Sequence, residues 1–238
     1  MHQLPELMAQ TTHTAFYLLM WSVSLLLQLT LFVSLFSRSV ARFAPFFTNF
    51  VGFYLLRSTV LFFILNPASP ATYSWLYNFF LVLDVLVQFC VAAELTRHLA
   101  TTHGGWTRRN IVVPVVFLCA TAICTYITVQ LAPHAQVRVD PSLIAFSYYM
   151  IFLWLWTFAL HETTAIGRSV AQGFAIYSII SIVANIGRTS AMFVDHPRSY
   201  AAWTYVLAGG YLVVVIFWLG TLRPNPEKLV PKPLGTTI

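Results

Sequence analysis

Three ionisable side chains stand inside runs that are otherwise apolar: Arg57, Asp84 and Arg188. A charge at membrane depth costs a few kcal/mol on insertion scales, which marks such a residue as part of a functional site by default. Arg57 precedes the break at Asn66 by nine residues, about 13 Å, and Asp84 follows Thr72 by twelve, about 18 Å. The connection between these runs is short, so their helices should be antiparallel neighbours. An arginine stem can cover the remaining ~5 Å. Arg57 and Asp84 are therefore expected to pair inside the bundle. Gln88 shares a helix face with Tyr77, Asp84 and Val91 and would extend the polar patch. A second stripe, Ser178, Ser181, Asn185 and Arg188, recurs at helical intervals further along, with Arg188 near enough to the outer end to reach headgroups. The expected binding set is thus Arg57, Asp84, Gln88, Ser181, Asn185 and Arg188. Helix association through polar contacts competes with a binding role for all of them.

Other chemistries lack their residues. Both lysines, Lys228 and Lys232, lie in the C-terminal tail, so no spanning lysine can form a retinal Schiff base. His2, His13, His98, His103, His134, His161 and His196 fall in termini, loops or span edges, too shallow for a bis-histidine haem. Cys90, Cys119 and Cys124 have no metal-binding spacing and read as small apolar core residues. His161-Glu162 opens like a zinc-protease motif, but no second histidine follows. There is no glycine-rich phosphate loop and no Gly-x-Ser-x-Gly, and Gly209-Gly210 fits close helix packing instead. No cofactor, metal or catalytic set is expected.

The elements that must position these groups follow from composition. Of 238 residues, 58% are hydrophobic and 8% charged, with a net charge of +6. Soluble domains carry about 25% charged residues, so a soluble globule, a disordered chain and a nucleic-acid partner are all excluded. Seven stretches approach the roughly 20 apolar residues that cross a bilayer. They are Thr14–Phe36, Phe47–Leu65, Thr72–Glu94, Asn110–Ala132, Pro141–Leu160, Ser169–Val194 and Ala201–Leu222. Asn66-Pro67, Pro70, Gly104-Gly105, Pro133, Gly167, Pro197, Pro224 and Pro226 punctuate them. The expectation is an all-α, seven-transmembrane-helix bundle that contacts the lipid bilayer directly.

Charge sets the orientation. Arg38, Arg42, Arg97, Arg108, Arg109, Arg168, Arg223, Lys228 and Lys232 follow the odd spans, whereas only Arg138 and Arg198 lie on the other side. Basic loops stay cytoplasmic, so the N-terminus should be outside and the C-terminus cytoplasmic, in a plasma (inner) membrane. Residues 1–13 would form an extracytoplasmic segment without the basic leader of a secretory signal, 14–222 the membrane domain, and 223–238 an extended Pro-rich cytoplasmic tail. Aromatics near span ends (Trp21, Phe43, Trp75, Trp106, Trp203, Trp218) fit an interfacial belt. The denser set Tyr148, Tyr149, Phe152, Trp154, Trp156 and Phe158 fits ring packing between helices. No internal repeat of the transporter kind is visible.

The segment YSWLYNFFLVLDVLVQFCVAAELTRHL has aromatics at its outer end and Glu94 near its inner end, where Glu94, Arg97 and His98 read as a solvated interface cluster. With the glycine- and aromatic-bearing last two spans, it resembles a group of small, uncharacterised bacterial seven-helix integral membrane proteins. That resemblance implies the fold and no activity. The sequence thus points to a non-catalytic membrane protein, either a small-ligand sensor or a subunit binding a membrane partner or a second copy of itself. A transporter lined by the intramembrane polar residues is the alternative, and a lipid-modifying enzyme a third.

Overall fold

A computed structural model describes residues 15–65, 70–101, 108–131, 141–159, 164–189 and 197–222. These form helices α1 (Ala15–Ser37), α2 (Val40–Phe43), α3 (Pro45–Leu65), α4 (Pro70–Thr101), α5 (Arg108–Leu131), α6 (Pro141–Ala159), α7 (Ala165–Thr189) and α8 (Pro197–Thr221), with no strand among the described residues. Six of them, all but α2 and α3, are long and apolar enough to cross a membrane. The chain is therefore a multi-pass membrane protein. The segments expected outside the bilayer at 1–13 and 223–238 lie outside the described residues.

Four helices begin on a proline: Pro45, Pro70, Pro141 and Pro197. A first-turn proline needs no amide donor and has its φ already set, so Pro70 and Pro197, read from sequence as breaks, serve as helix starts, as Pro141 does where its span was expected to begin. Two differences matter for the site. The chain turns between α1 and α3 through Ser39, held at φ 57°, and the single turn α2. Helix α4 also continues seven residues beyond Glu94, because Leu95, Leu99 and Ala100 keep an apolar face against the core.

Helices α1, α3, α4, α6, α7 and α8 form a closed ring, each packed on the next, and α5 lies outside it against α6 and the edge of α4. Hydroxyls fix this layout. Thr96 and Tyr149 join α4 to α6 at 2.8 Å, and Thr128 and Tyr148 join α5 to α6 at the same distance. Three close approaches set the antiparallel α7–α8 register. A Cβ on Gly173 would overlap the Trp218 indole, one on Gly187 would overlap the Trp203 indole, and one on Gly210 would lie 2.6 Å from Ile180. Gly209 has open space instead, so only Gly210 of that pair makes the close packing.

Part of the ring's interior is filled by packed aromatic rings. Phe47 and Phe50 of α3, Phe146 of α6, Phe174 of α7 and Trp218 of α8 meet edge to face at centroid distances of 4.9–5.9 Å. Trp218 is fully buried and donates its indole N–H to the Ser169 carbonyl at 3.2 Å, so it belongs to the core and not to an interfacial belt. The cysteines depart from expectation in the opposite sense. Cys119 is exposed on α5, and Cys90 and Cys124 are half-buried, because α5 and the outer face of α4 turn away from the ring.

Candidate functional site

Tyr54 and Arg57 lie three residues apart on α3 and so share one face, while Asp84 and Gln88 lie four apart on the facing side of α4. Arg57 donates from a terminal guanidinium nitrogen to Asp84 Oδ2 at 3.0 Å. The Tyr54 hydroxyl donates to Asp84 Oδ1 at 2.7 Å, and the Gln88 amide donates to the same oxygen at 3.1 Å. Both carboxylate oxygens are thus engaged, as a charge out of water requires. The Arg57 guanidinium also sits 5.9 Å from the ring centres of both Tyr54 and Tyr77, within cation–π range.

The site extends across the ring. Tyr211 of α8 stacks on Tyr54 at 6.2 Å and meets Tyr177 of α7 edge to face at 5.8 Å. Among the described residues the buried Tyr211 and Ser178 hydroxyls find no hydrogen-bond partner.

Of the residues expected from sequence, the structure brings Arg57, Asp84 and Gln88 together. The α7 stripe divides. Asn185 donates to the carbonyl and hydroxyl oxygens of Ser181 one turn back, and Arg188 reaches Thr204 of α8 at 2.9 Å. Tyr54, Tyr177 and Tyr211 were not singled out, since tyrosine is unremarkable in so aromatic a chain. For Tyr54 a signal existed, because it sits one turn from Arg57 on the same face.

A second polar contact lies at the end of the bundle that carries the basic residues. Glu94 is buried, and its two carboxylate oxygens accept the backbone N–H groups of Phe46 at 3.1 Å and Phe47 at 2.9 Å. These are two of the free amides of the first turn of α3, where Ala44 has no side chain with which to cap them. The solvated cluster expected from sequence is thus corrected at Glu94, which caps a neighbouring helix in trans. Arg38 does the converse for α8, donating to the Leu219 and Leu222 carbonyls at 3.0 Å each.

The two carboxylates of α4 lie ten residues apart, about 15 Å, and on α3 Arg57, held by the first, lies ten to eleven residues from the Phe47 and Phe46 amides held by the second. Helix α3 is therefore fastened to α4 at both ends of one straight register. Among the described residues no cluster of three or more His, Cys, Asp or Glu side chains could hold a metal. Comparison of the chain with protein-family models, curated proteins and solved structures finds no match.

Proposed function

We propose that this chain is a non-catalytic plasma-membrane protein that senses a small ligand at the Tyr54–Arg57–Asp84–Gln88 site. In this reading seven helices cross the bilayer, with the N-terminus outside and the C-terminus cytoplasmic. Two features support the seventh crossing and the orientation. Helix α3 has 21 residues and is tied to the spanning helix α4 at two depths about 15 Å apart. The charge count of nine basic residues against two favours a cytoplasmic C-terminus.

One observation carries the sensor reading. The polar site ends on an aromatic floor: Phe50 lies 4.6 Å from Tyr54, and Phe174, Trp218 and Phe47 continue the packing towards the basic end. A permeation path would need polar groups to continue past that level. A site sealed towards the basic end, and in this reading reached only from the opposite side, binds and reports. Subtle movement of α3 against α4 would be felt at Glu94 and the α3 N-terminus, fifteen ångströms or so away by helical rise. A partner-binding role has separate support in α5, which stands outside the ring with most of its surface unburied.

A reporter fused after Ile238 should behave as cytoplasmic and one placed near Pro133 as external. Proteoliposomes should show no accumulation of small organic cations or anions above protein-free vesicles. Saturable uptake would overturn the sensor in favour of a transporter, and an external C-terminus would overturn the seven-span arrangement.

A further inference from the structure

The polar site has the chemistry of a cation receptor, with Arg57 as its own occupant. Its one anion is Asp84, and its walls are the rings of Tyr54 and Tyr77, each 5.9 Å from the guanidinium carbon. Carboxylate and aromatic faces together are the usual surroundings of a bound ammonium or guanidinium group. Tyr211, stacked on Tyr54, adds a buried phenol oxygen that has no partner among the described residues and can accept a further N–H.

The two members of the ion pair differ in whether they can leave. Arg57 is 18% exposed, stands about 13 Å below the outer break, and has a long stem that can carry its charge outwards to the headgroups. Asp84 is about as exposed, at 16%, but has a single methylene and lies deeper, so it cannot carry its charge outwards to a headgroup. An anion that captured Arg57 would strand the carboxylate in an apolar interior, which is heavily penalised. A cation that captured Asp84 would leave the interior charge-balanced and release Arg57 to a place where it is solvated.

We infer that the ligand of this site is an organic cation, a guanidinium or ammonium group, which binds Asp84 between Tyr54 and Tyr77 by displacing Arg57. The inference rests on the sensor reading and gives it a ligand class. Arg57 then acts as a tethered competitor that holds the resting state. The same ammonium chemistry is offered by a free solute and by an ethanolamine headgroup.

Calorimetric titration of the full chain in phosphatidylglycerol nanodiscs with methylguanidinium chloride tests it. Wild type should bind, and Arg57→Gln should bind about tenfold tighter, because apparent affinity scales with the fraction of sites left open. Arg57→Lys keeps a cation and so protects the fold should Arg57→Gln fail to assemble, and it should fall between the two. Asp84→Asn should abolish binding, and sodium acetate should not bind. Weaker apparent affinity in discs containing phosphatidylethanolamine would identify the headgroup as the source, and unchanged affinity a free solute. Equal affinity in wild type and both Arg57 variants, retained binding in Asp84→Asn, or no binding at all would overturn the cation inference. Those outcomes would leave one-sided access to the site, on which the sensor reading stands, to be judged by its own measurement.

Discussion

Glu94 is the residue where local chemistry and position in the chain diverge most. It accepts two backbone N–H groups from α3 while nearly shielded from solvent, so both its charge and its two oxygens are used. Glu94→Ala should leave two first-turn amides without partners and lower stability by about 2 kcal/mol or more, within the range of a lost cap and a lost charged hydrogen bond. Glu94→Gln keeps one acceptor oxygen and should lose about half as much. Thermal unfolding in detergent measures both, and equal, negligible shifts would show that the cap contributes nothing. The Arg57–Asp84 pair was legible in the sequence and this contact was not, for a physical reason. Arg57 and Asp84 are charges in mid-span, where cost alone predicts pairing. Glu94 stands at the end of an apolar run, where a solvated carboxylate costs nothing, and only the continuation of α4 through Leu95 and Leu99 buries it.

At the scale of elements, glycine placement decides which helices can close on each other. Gly173 lies under the rigid, fully buried Trp218 ring, whereas Gly209 on the facing helix meets nothing within 4 Å. Gly173→Ala should therefore cost about 1–3 kcal/mol through overpacking. Gly209→Ala should be neutral or stabilising by up to about 1 kcal/mol, since alanine favours a helix interior. Melting temperatures of the two variants, compared with wild type, check the contrast, and similar shifts would refute the α7–α8 register. The apolar runs foretold the long helices but not their neighbours. Lipid-facing and core-facing positions here are both apolar, so no amphipathic stripe distinguishes Phe174, which is buried, from Ile179, which is exposed. The same uniformity made Trp218 read as a belt residue and Cys119 as a core residue.

At the scale of the whole molecule, the charged residues sort the bundle into two levels. One holds the Arg57–Asp84 group with its tyrosines, and the other the Glu94 and Arg38 caps beside the basic ends, with packed aromatic rings joining them. Helix α3 spans both levels, so displacement of Arg57 has a direct mechanical route to the far end. In the proposed sensor the Arg57–Asp84 level is reached from outside and closed from within. Single cysteines at Tyr77, Gln88 and Phe50, with Cys90, Cys119 and Cys124 replaced, measure this through reaction with a membrane-impermeant thiol reagent in right-side-out and inside-out vesicles. Tyr77→Cys should label from the outer side alone, and Gln88→Cys and Phe50→Cys from neither, because both native side chains are buried around and below the ion pair. Labelling of Gln88→Cys or Phe50→Cys from the cytoplasmic side would contradict this closure, since it would place water where the aromatic floor should be.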